Sequence, residues 1–224
     1  MTQEKISVNT IQVKSEYYYN ELLLLSCEIS YPQFTSQDSA IRLEKINRLL
    51  RQNALVYQEY CSDVLMNMAI EQYWEGVEGN YPLRGFEAIL THEITYLSDC
   101  IVSFYSDRYE YTGGAHGNTT RVSATYNAKT GRMLDLNSII VCRDSKKYLF
   151  NEIKEQIDKE PSVYFENAGT LIAETFSPNQ FYVTPQGMVI YYQHYDIAPY
   201  SSGIREFLIP YSDCVRDPET FCSK

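Results

Sequence analysis

Residues Ser36 to Trp74 read SQDSAIRLEKINRLLRQNALVYQEYCSDVLMNMAIEQYW, and this stretch decides the fold class. Ser36 or Asp38 can cap a helix N-terminus. Ile41, Ile46, Leu49, Leu50, Ala54, Tyr57, Cys61, Val64, Leu65 and Met68 then recur at spacings of three to five, the period of an amphipathic helix. One long helix, or two joined near Asn53, would span about 50 Å. Gly76, Gly79, Asn80 and Pro82 supply its stop signals. The expected inward face is Ile46, Leu50, Tyr57, Val64 and Met68, packed on a sheet of mainly antiparallel strands.

On either side of the helix the period changes to two. Residues 5–14 alternate at Ile6, Val8, Ile11 and Val13, and a second strand over 17–30 is expected to stop before Pro32, which cannot donate to a ladder. Gly85 to Leu97 and Cys100 to Tyr109 read as strands turning at Ser98 and Asp99, and Arg121 to Tyr126 alternates again. Asn127 to Gly131 has turn chemistry. Helices are expected over 144–159 and 165–175. Three strands follow, at 180–183, 188–193 and 204–209, the first pair joined through Thr184-Pro-Gln-Gly187 in type II geometry. Helices segregated from antiparallel hairpins define an α+β class. The chain divides into residues 1–110, with the first strands and the long helix, and residues 111–224, an α+β half with two glycine-bounded loops.

Those loops are the candidate site. Tyr111-Thr-Gly-Gly-Ala-His-Gly-Asn118 packs three glycines and one of three histidines into eight residues, and glycine lets backbone or ligand approach closely. Asp196-Ile-Ala-Pro-Tyr-Ser-Ser-Gly203 combines a rigid proline with tyrosine and small hydroxyls, a composition suited to protein recognition. The candidate binding residues are Gly113, Gly114, His116, Asn118, Asp196, Pro199, Tyr200 and Ser202, with Tyr200 as the anchor. Histidine can act as base, ligand or donor, so His116 with Asp196 is the alternative, an enzyme acting on a glycan or peptidoglycan fragment. Asp107, Glu110, His116 and Asp196 lack the short spacings of a metal site. Ser201 and Ser202 lack a nucleophile elbow. Glu87, Glu93 and Asp107 read as solvated strand carboxylates rather than a glycosidase pair. No cofactor motif is present.

A net charge of −10 argues against nucleic acid and favours encounter with a cationic partner. No segment has the roughly 18 apolar residues of a membrane span, and Met1 to Lys5 lead into no signal-peptide core. As the chain stands a cytoplasmic location is expected, or an extracytoplasmic one if a leader was trimmed. Cys27, Cys61, Cys100, Cys142, Cys214 and Cys222 form no CxxC pair. Their scatter suggests six reduced thiols. If a bridge exists, spacing favours Cys214 with Cys222.

Four segments together resemble a bacterial family: Tyr111–Asn118, Tyr126-Asn-Ala-Lys-Thr-Gly-Arg132, Phe181-Tyr-Val-Thr-Pro-Gln-Gly-Met-Val-Ile-Tyr191 and Tyr195-Asp-Ile-Ala-Pro-Tyr-Ser-Ser-Gly203. They are similar to the C-terminal sensor domain of RsiV-type anti-sigma factors, a domain also found beside the deacetylase domain of PdaC-type peptidoglycan deacetylases. The resemblance covers roughly residues 5–212 and is strongest over 109–210. It implies a long helix on an antiparallel sheet, a place outside the membrane, and binding of lysozyme without catalysis by the domain itself. The resemblance is to the sensor module, and within this sequence no transmembrane helix, sigma-binding segment or deacetylase domain is expected. The expected ligand is therefore a cationic, lysozyme-like protein or a glycan fragment.

Overall fold

Ile6–Tyr19 (β1) and Leu22–Ser36 (β2) form a long hairpin closed by Asn20 and Glu21, both at positive φ. The structure is a computed structural model and describes residues 6–222; Met1–Lys5, read above for a leader, lie outside the described residues. Two consecutive positive φ values match the right-handed strand twist, which is why two residues suffice. β2 runs through Pro32 rather than stopping before it, opposite Thr10 of β1. Among the described residues the other side of β2 has no strand partner beyond Ile29, so the missing N–H costs little there.

Glu44–Tyr60 (α1), a π-helical segment Cys61–Leu65 and Met66–Gly79 (α2) make one continuous helix, ending in left-handed Asn80. Its N-terminus is tied to the hairpin, because the Asn47 amide pairs with both the N–H and the C=O of Phe34. Neither Ser36 nor Asp38 caps it, since helix begins only at Glu44. The sequence-expected face is followed at Ile46, Leu50 and Tyr57, all buried, and then lost. Val64 and Met68 are exposed, while Cys61, Leu65 and Ala69 are buried. The cap N–H of Met66 bonds the carbonyl of Cys61, five residues back. One extra residue in that turn moves every later inward position on by one.

Phe86–Leu97 (β3), Ile101–Tyr111 (β4), Asn118–Asn127 (β5) and Arg132–Met133 (β6) complete a six-stranded sheet in the order β1-β2-β3-β4-β5-β6. Every pair is antiparallel except β2 with β3, which the long helix connects as a crossover. The helix packs on β2 and β3 through Leu25, Cys27, Tyr57, Leu65 and Ala88. β5 and β6 lie beyond residue 110 and yet belong to this first sheet.

Leu136–Ile139 (α3), Ser145–Ile157 (α4) and Ala168–Glu174 (α5) pack with a second sheet of Phe181–Thr184 (β7), Gly187–Tyr192 (β8) and Arg205–Pro210 (β9). The β7–β8 turn is not type II, because neither Gln186 nor Gly187 has positive φ. Gly187 is required for close approach instead: a Cβ there would strike the backbone of Ile209 on β9. The Ser103 hydroxyl on β4 accepts from the N–H of Val183 at 3.1 Å, and the Ser123 hydroxyl on β5 donates to the carbonyl of Phe181. The two sheets are thus joined by hydrogen bonds as well as packing. The fold is α+β with mainly antiparallel strands, as its periodicities indicate.

The cysteines depart from the all-thiol expectation. Cys100–Cys222 and Cys142–Cys214 are disulfides, with Cα separations of 5.8 and 4.8 Å. The short-range partner inferred for Cys214 is therefore wrong. Folding brings each cysteine of the C-terminal segment to a different distant partner, and sequence spacing carries no information about either.

Candidate functional site

The β4–β5 hairpin pairs Glu110 with Asn118, and the loop between them carries Gly113, Gly114 and His116. Gly113 takes φ +86°, and any Cβ there would run into the Gln72 amide of α2. The loop is held from below. Gln72 donates to the Thr112 carbonyl at 3.3 Å, and Arg84 donates to the carbonyls of Gly113 and Gly114 at 3.3 and 3.0 Å. Gly114, Ala115, His116 and Asn118 stay exposed above it.

The second loop meets the first through rings. Tyr200 lies between two histidines, with centroids 4.0 Å from His116 and 4.6 Å from His194, and with Tyr195 at 5.9 Å. Its hydroxyl donates to the Gly117 carbonyl at 2.8 Å. Tyr200 is half-buried and committed within the protein, so it locks the two loops together rather than projecting as a free anchor. Pro199 starts the 3-10 turn Tyr200–Ser202, and the Ser202 hydroxyl donates to the Val163 carbonyl at 2.8 Å. Tyr195 is the exposed aromatic, 54% accessible and at φ +68°. A non-glycine residue held at positive φ is strained, and strain of this kind collects at functional positions. The sequence offered no signal for it, since any residue type can be forced into such a turn.

Asp196 does not serve His116. Its carboxylate accepts the N–H of Gln193 at 2.8 Å, closing its own turn, while His116 Nδ1 lies 2.8 Å from the Gly117 carbonyl. Burial pushes the Asp196 carboxyl up, and the Gln193 N–H only partly offsets this. Asp107 is likewise committed. It sits opposite Arg121 in the β4–β5 register and holds that guanidinium in two bonds of 2.7 Å. Arg121 also pairs with Glu206 of β9 and stacks 3.6 Å from the Tyr105 ring centroid. Burial alone would lower the Arg121 pKa; the bonds and charge of Asp107 overcome this and raise it. Glu110 contacts Tyr60, and its other carboxylate oxygen is buried without a partner. Among the described residues no group of three or more His, Cys, Asp or Glu is arranged to hold a metal ion. Sequence reasoning missed Arg121, whose role depends on the β4–β5 register that sets it opposite Asp107.

Burial lowers the pKa of His194, whose Nδ1 is buried without a partner. A histidine whose folded pKa is depressed stabilises the fold above its unfolded pKa of about 6.5. That contribution falls as pH drops through this value, because the unfolded chain then binds more protons. His92 is shifted the same way by burial, whereas raised Asp196 acts with the opposite sign from about pH 4 upward. Melting temperature should therefore fall between pH 7.5 and 5.5, and His194→Gln should flatten the curve. An unchanged slope in that variant would assign the effect elsewhere.

The glycine loop also forms one wall of a groove of about 330 Å³, lined by Leu24, Gln72, Tyr73, Tyr81, Leu83 and Gly113 among others. Exposed Trp74, Val77 and Tyr81 lie at the same end of α2, whose charged side chains are all glutamates. The groove lining carries one charge of each sign, Glu75 and Arg84.

With this geometry in place, the chain is similar to two family descriptions in succession. Residues 19–119 match the family model described as Deacetylase PdaC, and residues 138–212 match that of a protein of unknown function, DUF3298. The Gly113–His116 loop closes the first match and the Pro199–Ser202 loop lies in the second, so the His116–Tyr200 stack joins the two segments. A solved DUF3298-family structure from Bacteroides fragilis NCTC 9343 shares the fold. It has a TM-score of 0.71, 20% identity, and coverage of 98% of this chain and 97% of that one. A DUF3298-family protein from Pseudomonas aeruginosa PAO1 gives a TM-score of 0.59, 19% identity, and coverage of 92% and 91%. No curated protein matches the chain.

Proposed function

We propose that the protein is a non-catalytic binding module. Its recognition surface is the pair of loops 111–118 and 194–203, extended by the groove beside Gly113. One observation carries this reading: Tyr200 stacks on His116 and bonds Gly117, fixing both loops as a single preorganised surface. Preorganisation lowers the entropy lost on binding. The enzyme alternative has less support, because Asp196 is bound to its own turn and gives His116 no carboxylate partner.

The partner favoured by the RsiV-like resemblance is a cationic, lysozyme-like protein. The net charge of −10 suits it, and so do the glutamates of α2. Steering of this kind weakens with salt. The two disulfides favour an oxidising, extracytoplasmic setting. Tyr195 is the proposed contact anchor, since tyrosine gives a large, rigid contact. Calorimetry with hen lysozyme at low and physiological salt is the test. Tyr195→Ala should weaken binding by about 1–3 kcal/mol without changing the melting temperature. Tyr200→Ala should weaken it too, but with a lower melting temperature. No binding at either salt would end the lysozyme assignment. Glycan hydrolysis dependent on His116 would replace the binding reading with the enzyme one.

A further inference from the structure

The two cysteines outside the disulfides meet in the core beneath the helix. Cys27 is on β2, opposite Ser15 of β1 and Ala88 of β3, and Cys61 opens the π-helical turn. Both are fully buried. Their sulfurs are 2.6 Å apart across 34 residues of sequence. Ordinary nonbonded atoms stay roughly 3.5–4.0 Å apart, and a covalent S–S bond is about 2.05 Å. The separation lies well inside contact distance and close to bonding distance.

The surroundings suit a disulfide better than two thiols. Leu25, Ala54, Leu65 and Ala88 share the cluster. The Tyr57 hydroxyl within the cluster and one oxygen of Glu110, whose charge acts on both cysteines, are buried without hydrogen-bond partners among the described residues. Their mutual hydrogen bond lowers the Cys27 pKa and raises that of Cys61, while burial and the Glu110 charge oppose ionisation of both. A disulfide removes both ionisable groups and leaves an apolar bridge.

We infer that Cys27 and Cys61 form a third disulfide, fastening the π-helical turn of the long helix to the sheet. The oxidant is a small-molecule or protein disulfide. One cysteine thiolate attacks it, forming a mixed disulfide and releasing one thiol. The second thiolate then displaces the other thiol and closes the Cys27–Cys61 bond. Two electrons pass to the oxidant, and the two cysteine protons leave with its two product thiols. Because both sulfurs are buried in the folded state, this exchange belongs to folding, before the helix docks.

The test is oxidative refolding of the reduced full chain in a reduced/oxidised glutathione buffer. The product is then unfolded without reductant, alkylated and mapped by peptide mass. The expected result is no alkylated cysteine and a cross-linked peptide pair containing Cys27 and Cys61. Alkylation at Cys27 and Cys61, with Cys100–Cys222 and Cys142–Cys214 intact, would overturn the inference. As a second readout, the Cys27→Ala/Cys61→Ala double variant should melt about 10 °C below the oxidised protein, from loss of a bridge closing a loop of this size. A melting temperature equal to that of the oxidised protein would also count against it.

Discussion

Replacing Arg121 with alanine is expected to cost about 3–5 kcal/mol of stability, the usual effect of breaking a buried ion pair from one side. The guanidinium is 10% exposed and links three places: Asp107 on β4, the Tyr105 ring, and Glu206 on β9. Its backbone adds a second link, since Arg121 N–H and C=O both pair with the Gln193 side chain, at 2.9 and 2.7 Å. Gln193 in turn anchors the Asp196 turn. The substitution leaves the half-buried Asp107 carboxylate without its guanidinium and cuts the side-chain tie to Glu206 of β9, while the backbone bonds to Gln193 remain. Urea unfolding measures the loss. Arg121→Ala combined with Asp107→Asn should recover part of it, because the stranded charge is gone. A single-variant loss below about 1 kcal/mol, typical of a surface pair, would contradict this picture.

Leu65→Ala should cost about 2–5 kcal/mol, as expected for a buried leucine, whereas Val64→Ala should stay within about 0.5 kcal/mol, as for an exposed position. A regular helix would give the reverse ranking, because Val64 continues the spacing of Ile46, Leu50 and Tyr57. The comparison thus reads the π-helical turn directly. Equal losses at the two positions would place the register shift elsewhere.

That turn marks the limit of what the sequence conveyed. The helix itself was legible, because Ile46, Leu50, Ala54 and Tyr57 keep a regular inward spacing. One additional residue in a turn has no signature in hydrophobic period, since Val64 and Leu65 are both apolar. The strands were legible where alternation is strong. β2 outran its expected end because proline is excluded only where a partner needs its N–H, and that depends on the neighbouring strand. The glycine loop was visible as a cluster, and its closeness to the Pro199–Ser202 loop followed only from the family resemblance. The roles of individual residues were not visible. Tyr200 was expected to project and instead locks the loops, Asp196 closes its own turn, and Arg121 is buried by a strand 85 positions away in sequence. Each of these depends on long-range pairing.

Hydrogen–deuterium exchange, followed peptide by peptide with and without lysozyme at low salt, tests the central claim most directly. The account predicts slowed exchange in residues 111–118 and 194–203 together, with the strands of the second sheet unchanged. Tyr200→Ala should uncouple the pair, so that neither loop is protected at the same lysozyme concentration. Protection confined to one loop, or appearing only on surfaces remote from both, would contradict a single recognition surface built from the two.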